Sequence, residues 1–154
     1  MSRAFVKDLD GAEGEELPEL AISAHRNLVT PEGLERIVAT LRRLDGELTA
    51  ARAASDRATV ARVERDLRYW SQRRSSAEVV APLASPAVVR FGCTVELLTE
   101  SGERVRYRIV GEDESDPAHG MLSHVAPLAE ALRGAAVGDV VPFRGGEAGI
   151  VAID

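Results

Sequence analysis

At 154 residues the chain is long enough for one ordinary domain, or for a small globular domain carrying an appendage. Its 45% hydrophobic content supports a folded protein, while 4% aromatic content leaves few rings for stacking on bases or lining a ligand cavity. A formal net charge of -6 argues against unspecific attraction to DNA or to anionic membranes, and a single cysteine, Cys93, excludes an internal disulfide.

That average hides an asymmetry. Residues 1 to 30 carry 3 basic and 6 acidic groups, residues 31 to 80 carry 10 and 8, and residues 81 to 154 carry 6 and 11. Only the middle segment is basic. The N-terminus has no apolar stretch long enough for a signal peptide, and nothing approaches the roughly 18 apolar residues of a spanning helix, so the expected location is the cytoplasm, with no membrane partner.

Residues 1 to 29 read as an acidic, extended arm, with a short apolar cluster at Leu17, Leu20 and Ile22 that could pack onto the rest. Thr30, Pro31 and Glu32 mark a helix start: a hydroxyl to accept an orphan amide, a proline suited to the first turn, and an acid at the positive end of the dipole. From Leu34 through Ile37, Leu41, Leu44 and Leu48 to Ala51, apolar residues step by threes and fours and form one stripe. After a break at Ala54, Ser55 and Asp56, the stripe resumes at Val60, Val63, Leu67, Trp70 and Ala77, with Arg74 on one seam position. So short a break requires an antiparallel return, and residues 30 to 80 become a coiled-coil hairpin. Ser55 or Asp56 can cap the second helix. Glu32 with Arg36 and Glu64 with Arg68 are four apart and suit exposed faces.

Pro82, Ser85 and Pro86 fall in a linker over residues 81 to 87. Beyond it the period changes to two. Arg104, Arg106 and Arg108 alternate with Val105, Tyr107 and Ile109, a strand with a wet and a buried face, and Thr94 to Leu98 is its hairpin partner. Pro127 to Arg133 reads as a short helix stopped by Gly134, and Val140 to Phe143 and Ile150 to Ile153 as strands flanking a Gly145-Gly146 turn. The fold class is therefore α+β: a helical hairpin, then a mainly antiparallel sheet domain with one short helix over residues 88 to 154.

Few residues announce chemistry by themselves. His119, His124 and Asp116 lack a third well-spaced ligand, so no metal site is expected. Glu112, Asp113, Glu114 and Asp116 lack the alternation of a calcium loop and read as a solvated turn. Cys93 reads as a small buried hydrophobe. Arg62, Arg65, Arg68 and Arg73 lie mostly off the seam, either solvated or facing a nucleic-acid backbone.

In order along the chain, Phe91-Gly92-Cys93-Thr94-Val95, then Tyr107 to Asp116, Gly120-Met121-Leu122-Ser123, Ala126-Pro127-Leu128-Ala129, Leu132-Arg133-Gly134 and Gly138-Asp139 resemble the C-terminal domain of the bacterial Gre transcript-cleavage factors. A helical hairpin precedes that domain in those factors too. The resemblance implies an FKBP-like domain that docks at the secondary channel of bacterial RNA polymerase while the hairpin enters the channel. It makes Met121, Leu122, Ser123, Ala126, Pro127 and Leu128 the expected polymerase-binding surface. It also makes Arg57, Arg62 and Arg65 the expected channel-facing or nascent-RNA-facing cations.

In cleavage-competent members, acids at the tip help hold a second Mg²⁺ of the polymerase. Ser55-Asp56-Arg57-Ala58-Thr59 is the matching tip, so Asp56 is the one candidate catalytic helper, and Thr59 stands where the second acid is expected. The hairpin is also shorter than the family pattern by several turns, and each turn removed withdraws the tip by about 5.4 Å. These departures resemble a branch that includes the regulator of nucleoside diphosphate kinase, which binds polymerase without strong cleavage. The expectation is a monomeric polymerase-binding elongation factor with no cofactor of its own, at most sharing the polymerase's Mg²⁺. A peptidyl-prolyl isomerase, which needs an aromatic-walled pocket, and a dimerising coiled coil unrelated to polymerase are the competing readings.

Overall fold

The computed structural model describes residues 17–154. The first 16 residues of the expected acidic arm lie outside the described residues. The stretch from Leu17 to Asn27 has no helix or strand, yet it is tied to the rest. Glu19 pairs with Arg68 at 2.5 Å and the Ser23 hydroxyl donates to Glu112 at 3.0 Å. Leu20 is 39% exposed, so it is not part of a core.

After a two-residue strand β1 (Leu28–Val29), helix α1 runs from Pro31 to Ala53 and α2 from Arg57 to Ser76. The Thr30 side chain accepts from the amide of Gly33 at 3.0 Å, which stops the helix from starting earlier. The stripe on α1 packs as the spacing predicts: Ile37, Leu41, Leu44 and Ala51 are buried, and so is Val63 of α2. Val29, Ile37 and Leu41 form a small core with Leu34, Leu67, Trp70 and Ala77 packed against it.

Two expectations for the hairpin need correction. The arginine inside is Arg73, 2% exposed, while Arg74 is solvent-exposed. A straight helix drifts from a strict seven-residue repeat, and acidic partners near Arg73 repay its burial. Nor do Glu32 and Glu64 take the expected partners four residues on among the described residues. Glu32 reaches Arg108 at 3.2 Å and Glu64 reaches Arg52 across the hairpin at 2.8 Å.

Strand β2 (Glu78–Val79) leaves α2 and pairs with β1 in parallel, clasping the base of the hairpin. The irregular stretch after it leads into a five-stranded sheet. Its strands are β3 (Thr94–Thr99), β4 (Arg104–Val110), β5 (Met121–Ser123), β6 (Val140–Phe143) and β7 (Gly146–Ile153), in the order β5-β4-β3-β7-β6. All neighbours are antiparallel except β4 and β5, which run parallel, so the sheet is mixed. The β6–β7 turn falls on Arg144 and Gly145, both at positive φ, one residue earlier than the glycine pair suggests. Helix α3 (Pro127–Leu132) covers the core formed by Val89, Val95, Leu97, Ile109, Leu132 and Ile150 with their neighbours. The whole is an α+β fold.

Candidate functional site

The far end of the hairpin is built by one tight reversal. The amide of Asp56 donates to the carbonyl of Ala51 at 2.9 Å, and Ser55 takes φ 54 to close the turn. Asp56 then caps α2, its carboxylate accepting from the Thr59 amide at 3.1 Å and from the Thr59 hydroxyl at 2.7 Å. The Thr59 hydroxyl, then the amide, hold the Asp56 carboxyl below the usual carboxylate range. Both oxygens are therefore engaged inside the turn.

Around this cap the charge is positive. Arg52 and Arg57 line a recess of about 380 Å³ with Val60 and Glu64, and Arg57 is exposed with no partner among the described residues. Arg62 is bonded across the hairpin to Glu47 and lies 3.4 Å from Asp66, while Arg65 is 2.9 Å from Asp66 and only 20% exposed. Of the three expected channel-facing cations, Arg57 alone is unengaged among the described residues. No group of three or more potential metal ligands exists among the described residues. A lone carboxylate already bonded to Thr59 and followed by Arg57 does not make a cation site of its own.

The expected docking strip lies at the other end, along one edge of the sheet. Pro127 is exposed at the first turn of α3, and Met121 and Ser123 are half-buried on β5. Leu122 points inward at 6% exposure and belongs to the core, opposite Ile109. It supports the strip from below. Ala126 and Leu128 pack against the same core while keeping part of their surface.

Between the two ends sits a joint that sequence spacing does not suggest. The acidic run at residues 112 to 114, expected as a solvated turn, is instead the junction between hairpin and sheet. Glu114 is 6% exposed, and its carboxylate accepts from the Thr30 amide at 3.1 Å, from the Thr30 hydroxyl, and from the Gly111 amide at 3.0 Å. Asp113 accepts from Arg73 Nε at 2.7 Å and from the Tyr69 hydroxyl at 3.2 Å. Burial, then the Asp113 charge, raise the Tyr69 phenol above its ordinary value. Arg73 also donates to Asn27 at 2.7 Å, and Asn27 returns a bond to the Arg73 carbonyl at 2.8 Å. The charges of Glu114, Asp113 and Arg73 are tolerated here because each of the three meets more than one partner. The signal available in the sequence was the conjunction of Thr30 and Gly33 with a distant run of acids.

The histidines separate. His119 bonds Asp116 at 2.7 Å on the surface, whereas His124 is 8% exposed and packs edge-on against Phe91. Tyr107 and Phe143 pair in the core, so the rings do not wall a common pocket. No helix among the described residues is long and apolar enough to cross a membrane.

A family model described as transcription elongation factor, GreA/GreB, C-terminal matches residues 84–153. Transcription elongation factor GreB of Xanthomonas axonopodis pv. citri is 41% identical over 126 residues, covering 68% of this chain and 74% of that protein. GreB of Pseudomonas aeruginosa is 35% identical, with 70% and 75% covered. GreA of Alkalilimnicola ehrlichii is 43% identical over 90 residues, 55% of this chain and 57% of that protein, so the chain spans little more than half of its length. The crystal structure of GreA factor homolog 1 (Gfh1) of Thermus thermophilus aligns at 27% identity over 84% of this chain and 99% of that one, with a TM-score of 0.41.

Proposed function

The chain belongs to the GreA/GreB family of transcription elongation factors, and from that premise we propose that it binds bacterial RNA polymerase and modulates elongation from the secondary channel. The sheet domain is the foot, gripping the channel rim through Met121, Ser123, Ala126, Pro127 and Leu128. The α1–α2 hairpin is the finger that enters. In this reading the protein acts in the cytoplasm as a monomer, brings no metal of its own, and is not itself a catalyst.

One observation carries the second half of the reading. The turn itself holds one acid, Asp56, committed to Thr59 as a helix cap, the other acid of the recess, Glu64, is paired with Arg52, and Arg57 is free of partners among the described residues. Such a tip offers a cation, suited to a nascent RNA phosphate, where a metal-holding tip would need converging carboxylates. The protein therefore occupies the channel without strong stimulation of transcript cleavage. The experiment is to add it to backtracked elongation complexes and follow both polymerase binding and RNA shortening. Binding without shortening supports the reading; rapid shortening that vanishes with Asp56→Ala overturns the second half, and no binding to core polymerase overturns the whole.

A further inference from the structure

Three arginines from three separate stretches converge on one cleft beside α3. Arg26 comes from the approach to β1, Arg90 from the segment before β3, and Arg133 from the end of α3, around a space of about 430 Å³. In a chain of net charge -6, this cleft gathers three exposed arginines against a single lining acid. Arg26 is paired with Glu78 at 2.5 Å and Arg133 donates to the His124 carbonyl at 3.4 Å. Arg90 is exposed and has no partner among the described residues.

The rest of the lining is not a generic basic surface. Leu28, Phe91 and Ile109 give the cleft an apolar floor. His124 stands in the wall, more than nine-tenths buried, with its Nε2 lacking any hydrogen-bond partner among the described residues. Glu130 is the one acid in the lining and an acceptor for an amino or hydroxyl hydrogen. Guanidinium forks suit phosphate oxygens, an apolar floor suits a flat or apolar body, and the volume falls in the range of roughly 300–1,000 Å³ usual for small-molecule sites.

We infer that this cleft binds a phosphorylated small molecule of nucleotide size, its phosphates held by Arg90 and Arg133 with Arg26 at the rim, and its body on Phe91 and Ile109. The site is distinct from the hairpin tip, and its occupancy requires no polymerase.

Calorimetric titration of the whole chain with AMP, GDP, ATP, pyrophosphate and, separately, an acidic peptide tests this directly. Saturable binding of a nucleotide is expected, weakened about tenfold by Arg90→Ala and by Arg133→Gln, as loss of a charge-assisted bond implies. Arg42→Ala, at an exposed position of the hairpin, should change it less than twofold. Circular dichroism of each variant checks the fold, and Arg90→Ala removes a side chain that holds no partner among the described residues. Equal affinity for pyrophosphate and nucleotides would overturn the assignment of a nucleotide-sized body. Absence of binding at millimolar concentration, equal losses with Arg42→Ala, or binding of an acidic peptide alone would overturn the phosphate site itself.

Discussion

The carboxylate of Glu114 lies in the space that a side chain on Gly33 would fill: a methyl built on Gly33 would stand 2.6 Å from both of its oxygens. A buried acid from the sheet domain thus reaches the first turn of α1 and bonds the Thr30 cap there. Glycine in a helix costs about 1 kcal/mol relative to alanine, and at this position the cost is offset by admitting Glu114.

Gly33→Ala is therefore expected to destabilise the protein by about 2 kcal/mol or more, since the lost buried bonds outweigh the gain in helix propensity. Gly46 provides the opposite case in the same helix, because a methyl there meets nothing within 4 Å. Gly46→Ala should stabilise by about 1 kcal/mol. Urea denaturation of both variants checks the signs; a stabilised Gly33→Ala would mean that Glu114 does not press against the first turn of α1.

Arg73 and Arg74 separate burial from sequence pattern. Arg73→Met would strand Asp113 and Asn27 without their donor, with an expected loss of about 3–5 kcal/mol, as for breaking one side of a buried ion pair. Arg74→Met, on the exposed side, should stay within about 0.5 kcal/mol of the wild type. A larger loss with Arg74→Met than with Arg73→Met would place the seam on Arg74.

His124 predicts how stability depends on pH. Burial is the main influence lowering its pKa from 6.5, with Glu112 acting against it and Arg133 and His25 adding to it. The unfolded imidazole takes its proton near 6.5 while the buried one resists, so the unfolded state binds more protons as the solution is acidified. Stability is full above about pH 6.5 and falls as pH drops below it, by at most about 1.4 kcal/mol per pH unit for one proton. The bonded carboxylates Glu19, Glu32 and Glu78 have pKa values lowered from 4.5 and act in a separate, more acidic window. Denaturation midpoints at pH 7.5 and 5.5 should differ less in His124→Leu than in the wild type, whatever the variant's absolute stability.

Local signals made the long elements readable. The stripe from Leu34 to Ala51, the Thr30-Pro31-Glu32 start and the alternation from Arg104 to Ile109 each depend on near neighbours, and the helices and β3–β4 pair follow them. The joint depends on partners far apart in sequence, such as Thr30 with Glu114 and Arg73 with Asp113, and no spacing rule connects them. β1, β2 and β5 are two or three residues long, too short for a period to show. At the tip, capping by Asp56 was legible from its place before a helix, whereas the engagement of Arg62 with Glu47 needed the hairpin's register.

The Asp56 cap separates two roles that a single alanine variant would confuse. Asparagine caps a helix about as well as aspartate because its side-chain carbonyl can accept the same amide bond, whereas alanine cannot. Asp56→Asn should therefore keep the wild-type denaturation midpoint while Asp56→Ala lowers it. If the acid serves only to shape the tip, the Asp56→Asn variant and the wild type will bind core polymerase and alter elongation equally, with the alanine variant weaker in both because its first turn of α2 frays. Should the asparagine variant fold like the wild type yet lose its effect on elongation complexes as fully as the alanine one, the negative charge itself would be required, and the tip would have to be read as a metal-assisting group.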